Sequence, residues 1–228
     1  MPLTPNEYRL LEHLGQYITD HRKGLIDQVL GLRTRHLTVV LENIYQSHNA
    51  SAVVRSCECM GVQDIHIIEE ATPYQVNKKV LKGSYKWVNV MRYKAGKANA
   101  TKRCFDELKE KGYTIGITDP LGSVPIHELD PAGSKLALVF GNEDAGVSEY
   151  ARKHSDVAVR IPMFGFTESM NISVSVAICL NVLMTRLRAG HWKYGLPPDE
   201  RDELKLTWYR KIVKRADLIE KRFMQSIA

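Results

Sequence analysis

The feature that most constrains this chain is an ordered alternation of short apolar runs and amphipathic segments that begins at Leu37. Leu37-Thr38-Val39-Val40-Leu41 reads as a buried strand. Ala50 to Met60 reads as a helix that stops at Gly61, the residue type suited to the left-handed position after a helix. Strands at Ile65–Ile68, Trp87–Met91, Thr114–Thr118 and Val157–Ile161 follow, interleaved with helices at Ala98–Lys111 and Ser148–His154 and closed by a long helix from about Asn171 to Arg188. Leu136 to Phe140 is apolar without a break, which suits a strand at the centre of a sheet covered on both sides. This order predicts an α/β fold, a mostly parallel sheet with helices on both faces.

The two ends read differently. Thr4-Pro5-Asn6-Glu7 has the pattern of a capping box with proline in the first turn, and Leu10, Leu11, Leu14, Tyr17 and Ile18 then form a helical stripe. A second amphipathic segment carries Leu25, Ile26, Val29 and Leu30. Pro197-Pro198-Asp199-Glu200 opens one final helix, whose stripe of Leu204, Trp208, Ile212, Ala216, Ile219 and Phe223 must bury against the core or a second subunit. The chain therefore divides into an N-terminal helical extension (1–36), a core (37–190) and a C-terminal basic helical extension (191–228).

With 228 residues, 44% of them hydrophobic, the chain can bury one full α/β core. Lys and Arg outnumber Asp and Glu by 32 to 26, an excess that fits RNA and fits a basic solvated surface equally well. The four cysteines, Cys57, Cys59, Cys104 and Cys179, form no C-x-x-C pair, so reduced thiols, no metal site and a cytoplasmic location are expected. The first residues lack a basic segment followed by an apolar run, so no signal peptide is expected. The most apolar run, Ile172 to Leu183, is interrupted by Ser173, Ser175 and Asn181 and is too short to span a membrane.

No G-x-G-x-x-G follows a strand, and no phosphate loop or G-x-S-x-G elbow is present. Dehydrogenases, P-loop enzymes and other small-molecule nucleotide enzymes are disfavoured. Three polar stretches remain, each following a predicted strand: Ser47 to Arg55, Phe140 to Val147, and Ile161 to Ser175. In parallel sheets, ligands bind beyond the carboxyl ends of strands. Together the stretches resemble the three motifs of the SPOUT methyltransferases in their TrmH branch, which methylate the 2′-hydroxyl of a tRNA guanosine. Asn49, Ala52 and Arg55 look like N-x-x-A-x-x-R. Gly141, Glu143 and Gly146 are similar to G-x-E-x-x-G. Ile161 to Ala177 looks like I-P-M-x-G-x-x-x-S-L-N-V-S-V-A, with Met170 for Leu and Ile172 for Val. The resemblance runs from about Leu37 to Gly190.

The resemblance implies a C-terminal trefoil knot, a homodimer, S-adenosylmethionine as methyl donor without a metal, and tRNA as partner. It implies catalytic roles for Asn49, Arg55, Glu143, Ser169 and Asn171, with Arg55 of one subunit near the other subunit's cofactor. It also implies cofactor contacts at Thr118, Gly141, Ile161, Met163 and Met170, and RNA contacts at His48, Arg9, Arg33, Arg35, Arg186 and Arg188. Each residue has a plainer reading. Arg55 suits a surface ion pair, Glu143 a solvated loop acid, and Asn49, Ser169 and Asn171 suit helix capping. His48 suits a structural position at a helix start, and Arg186 and Arg188 suit compensation of a helix dipole. A guanidinium is a reluctant base, so orientation and charge stabilisation are easier roles for Arg55. The alternatives are the same chemistry on ribosomal RNA, and a non-catalytic RNA-binding protein on the same fold. The roughly 36 residues before the core are too few for the compact RNA-binding domain that many ribosomal relatives carry.

Overall fold

The computed structural model describes residues 2–75, 77–190 and 192–227. Met1, His191 and Ala228, which bound two of the predicted spans, lie outside the described residues, as does Val76. Two compact units are present: residues 34–194, and a helical unit made of residues 2–33 with 195–227.

The helical unit opens with α1 (Pro5–Gly15) and α2 (Asp20–Gly31). The predicted capping box is present: the Glu7 N–H donates to Thr4 Oγ1 at 3.3 Å, and the Thr4 N–H donates to a Glu7 carboxylate oxygen at 2.8 Å.

The larger unit begins with β1 (Leu37–Glu42), α3 (Ser47–Met60), β2 (Asp64–Glu69), the single turn α4 (Lys78–Leu81) and β3 (Asn89–Lys94). It continues through α5 (Ala100–Glu110), β4 (Tyr113–Thr118), the two-residue β5 (Val124–Pro125), β6 (Lys135–Phe140), α6 (Glu149–His154), β7 (Val157–Arg160) and α7 (Ile172–Ala189). The strands form one parallel sheet in the order β3-β2-β1-β6-β4-β7-β5. The side-chain period of two sorts the core. Leu37, Val39 and Leu41 of β1 and Leu136, Leu138 and Phe140 of β6 pack with α3 and α7, while Val40, Ala137 and Val139 face α5 and α6.

Several boundaries differ from the sequence reading. The helix expected from Ala50 starts at Ser47, with Gln46 in the cap position, so Asn49 lies inside the first turn and does not cap it. The strand expected at Trp87–Met91 runs from Asn89 to Lys94, because a 3₁₀ turn at Ser84–Lys86 takes up the residues before it. The long helix runs from Ile172 to Ala189, within one residue of its expected ends, and its apolar character extends beyond the run that stops at Leu183. Its 18 residues and mean hydropathy of 1.5 are enough to cross a membrane by length and composition alone. Seven of its residues, among them Val176, Cys179, Leu180 and Leu183, are buried in the core.

The final helix is two helices in the helical unit, α8 (Pro198–Ile212) and α9 (Ala216–Ile227). Val213 is extended and Arg215 has a φ of 59°. Periodic apolar spacing cannot register such a break. The stripe buries against the N-terminal helices of this unit: Phe223 stacks on His13 with ring centres 4.6 Å apart, and the Tyr8 hydroxyl donates to Asp202 at 3.0 Å.

The face toward α5 contains a buried titratable chain. The Tyr93 hydroxyl donates to Glu107 at 2.7 Å, so His66 Nδ1, 2.9 Å away, carries its proton and donates to the tyrosine oxygen. Burial pushes the His66 imidazole down to about 4. The unfolded chain therefore binds the extra proton between pH 6.5 and 4. Stability from this group is complete above pH 6.5 and falls as the pH drops to 4, by up to about 3 kcal/mol. Melting temperatures of wild type and His66→Gln across this window check it. The variant should show the shallower acid slope, and equal slopes would refute the assignment.

Candidate active site

β1 and β6 lie side by side, with β2 and β3 on one side and β4, β7 and β5 on the other. The loops after β1, β6, β4 and β7 therefore emerge at one end of the sheet, where the connection order reverses and parallel sheets bind ligands. There they enclose a cleft of about 490 Å³.

The loop after β6 forms one wall. The Asn142 N–H donates to the Gly146 carbonyl and the Gly146 N–H to the Asn142 carbonyl, both at 2.9 Å. Asn142 Oδ1 accepts the Asp144 and Ala145 N–H groups at 2.9 and 3.1 Å. This closed turn needs Gly146 at φ 69° and a bare Cα at Gly141. It presents Glu143 to the first turn of α3.

Glu143 is the end of a continuous polar chain. Asn49 donates from Nδ2 to Glu143 Oε1 at 2.8 Å and to Gln46 Oε1 at 3.1 Å. Asn49 Oδ1 accepts from Asn171 Nδ2 at 3.1 Å. Asn171 Oδ1 in turn accepts the Ser173 N–H at 2.9 Å and the Ser173 hydroxyl at 2.6 Å, which caps α7. The Tyr45 N–H donates to Glu143 Oε2 at 3.3 Å. Both amides are thus held in one orientation, and α3, α7 and the β6 loop are tied at the cleft. The capping reading holds for Asn171, which also takes part in the chain. For Asn49, buried at 2% exposure, it does not hold.

The cleft is lined by Asn49, Glu143, Ser169 and Asn171 together with Thr118, Gly141, Ile161, Met163 and Met170. Ser169 has no hydrogen-bond partner among the described residues. Thr118 donates to the Val139 carbonyl at 3.0 Å and so holds β4 to β6 at the floor. Arg55 is not among the lining residues. It lies six residues beyond Asn49 on α3, exposed and without a hydrogen-bond or ion-pair partner among the described residues. The ion-pair reading therefore fails, and this chain alone does not bring Arg55 to the cleft.

The residues expected to touch RNA divide. Arg9 and His48 are exposed. Arg33 is 1% exposed and lies over the Trp208 ring at 5.4 Å, so it is a core residue of the helical unit and is withdrawn as an RNA contact. Arg35 is held by Asp64 at 3.0 Å. Arg186 donates to the carbonyls of His127 and Leu129 at 2.9 and 2.6 Å, and Arg188 to that of Met60 at 2.9 Å. These three arginines brace loops and helix ends.

Sequence reasoning missed Gln46, Asn142 and Asp119. Asp119 directly follows β4, and the rule that pointed to the other strand ends could have found it; it lines the cleft and pairs with Arg152. Asn142 sits between two motif residues in a turn, where asparagine commonly bonds its own backbone. Gln46 carries no signal of its own. Glu42, buried at 1% exposure, is fully engaged by the Thr101 hydroxyl at 2.6 Å and by the Ser148 N–H and hydroxyl, both at 2.8 Å, and serves the fold.

The model of the SpoU rRNA Methylase family matches residues 36–181. A tRNA (guanosine(18)-2'-O)-methyltransferase from Borreliella burgdorferi is 43% identical over 91% of this chain and 93% of its own length. The crystal structure of the A. aeolicus TrmH/SpoU tRNA modifying enzyme is similar with a TM-score of 0.73 and 30% identity, covering 86% of this chain and 98% of that one. The SpoU methyltransferase AviRb from Streptomyces viridochromogenes, solved in complex with AdoMet, shares the fold at a TM-score of 0.61 and 21% identity, over 72% of this chain and 62% of that one. The family model alone spans more than half of the sequence, and the chain belongs to the SpoU/TrmH family of RNA methyltransferases.

Proposed function

We propose that this protein transfers a methyl group from S-adenosylmethionine to the 2′-hydroxyl of guanosine 18 in tRNA. The observation that carries the reading is the chain from Glu143 through Asn49 to Asn171 along one cleft, in a protein 43% identical to a tRNA (guanosine(18)-2'-O)-methyltransferase over most of both lengths.

The cleft suits the donor. Phe140, Ile161, Met163, Met170 and Ile172 offer apolar surface for an adenine ring, and the loop from residue 161 to 171 offers main-chain groups for its edge. The bound donor supplies a methyl group on a positively charged sulfur. The rest of the work belongs to the protein. Glu143, with both oxygens already accepting hydrogen bonds, is held as a fixed acceptor for a ribose hydroxyl. Ser169 adds an unengaged hydroxyl, and Asn171 sets the mouth of the cleft. Such preorganised dipoles stabilise developing charge without having to move.

The wider assembly is part of the proposal. The chain passes from β7, near one edge of the sheet, back to α7 beside α3. This return supports a trefoil knot through residues 161–171. A homodimer would bring Arg55 of one subunit to the other's cleft, where a permanent cation suits charge stabilisation better than proton abstraction. Residues 37–190 form the methyltransferase core. The extensions 1–36 and 191–228 dock tRNA phosphates through exposed cations such as Arg9, and His48 adds a contact at the core. The enzyme works in the cytoplasm and uses no metal.

Labelled methyl transfer from the donor to a tRNA transcript tests the reading. Label should appear at the 2′-oxygen of position 18 and vanish when that residue is a 2′-deoxynucleotide. Methylation of ribosomal RNA alone would favour the ribosomal alternative, and no incorporation into any RNA would favour a non-catalytic binder.

A further inference from the structure

The loop between β7 and α7 does more than line the cleft. Met163 and Glu168 to Asn171 line it, but between them Phe164 and Phe166 are fully exposed. Two bare phenyl rings within three residues are costly to leave in water. Neither has a ring partner among the described residues, and Pro162 to Thr167 carries no charge. We propose that Phe164 and Phe166 form a stacking platform for the nucleobase of the nucleotide being methylated. The proposal rests on the RNA-methylating reading above.

The argument is geometric and chemical. The carbon that bears a 2′-hydroxyl is bonded to the carbon that bears the base. A ribose whose hydroxyl reaches the chain of Glu143, Asn49 and Asn171 must therefore send its base out beside a wall of the same cleft. The loop 163–171, whose two ends line the cleft, carries these two rings in water between them. An uncharged aromatic surface does not attract phosphate; it suits the face of an unstacked base. A base drawn out of a folded RNA loses its own stacking, and the rings replace it. A Cβ built on Gly165 between them would meet no other part of the protein within 4 Å, so this stretch of the loop borders open space.

The full-length enzyme with Phe→Ala, Phe→Leu and Phe→Trp at each position tests the platform, using tRNA with guanosine at the target position and tRNA with 2-aminopurine there. Stacking predicts that wild type quenches the 2-aminopurine fluorescence and that alanine and leucine alike raise KM for tRNA about tenfold per ring. Tryptophan should restore both readouts, with donor affinity, melting temperature and sedimentation mass unchanged. Full activity of the leucine variants would show that apolar packing, not stacking, is what the rings provide, and would overturn the proposal. A fall in mass of the alanine variants would make the rings a contact between copies of this chain and would also overturn it. Absence of methyl transfer by wild type would sink the functional reading, while quenching on tRNA binding would still decide the platform.

Discussion

Replacing Gly141 with alanine is expected to cost transfer about a hundredfold or more, because it displaces one wall of the cleft. An added Cβ would lie 2.1 Å from the Gly146 carbonyl carbon and 2.2 Å from the Val147 nitrogen. These are backbone atoms of a turn closed by two hydrogen bonds of 2.9 Å, so no side chain can swing aside. The turn must open. Opening it moves Glu143 away from Asn49 and releases the polar chain from that end. Overpacking of this kind destabilises by about 3 kcal/mol. Gly24→Ala is the control: that glycine is helical, exposed and without a neighbour within 4 Å, and alanine is the better helix former by about 1 kcal/mol. Methyl transfer, donor binding and melting temperature of the two variants decide the matter. An active, stable Gly141→Ala enzyme would mean that the turn does not set the position of Glu143.

The same turn shows what the sequence discloses. Gly141 and Gly146 stand out as residue types, and their spacing around Glu143 marks a tight loop after a buried strand. The parallel sheet is legible for a similar reason, since five-residue apolar runs and glycine stops report burial and helix ends directly. Partnership is not legible. Nothing in the composition tells that Gln46 holds the second amide hydrogen of Asn49, or that Arg33 turns inward over the Trp208 ring while Arg9 stays in water. A basic residue looks the same in sequence whether it faces a phosphate, a carbonyl or an indole ring, so the internal acceptors of Arg35, Arg186 and Arg188 cannot be read from it. The break at Arg215 escapes for another reason: the stripe on both sides keeps helical spacing, and one residue at positive φ leaves no trace in the period.

Arg55→Ala is expected to lower transfer by about 10²- to 10³-fold and to leave donor affinity unchanged. Six residues along a helix is about 9 Å of rise and 240° of rotation, so Arg55 cannot point where Asn49 points. Within its own chain Asn49 faces Glu143 and Asn171, and Arg55 faces solvent. In the proposed homodimer, an arginine that acts in the reaction from there would act on the other subunit's cleft. That makes the prediction separable by mixing. Arg55→Ala leaves the polar chain intact, and Glu143→Ala leaves Arg55 intact, and each protein alone should be nearly inactive. If the proposed homodimer forms, the two proteins dissociated together and reassociated at equal concentrations give mixed dimers in which one cleft combines an intact Glu143 with an intact Arg55. Half the dimers are mixed and half the clefts in each are whole, so recovery should approach about a quarter of wild-type activity for a twofold dimer. Recovery to that level establishes a composite site. A mixture that stays inactive, with exchange of subunits verified by mass, would place Arg55 in service of its own chain and require α3 to turn on binding RNA.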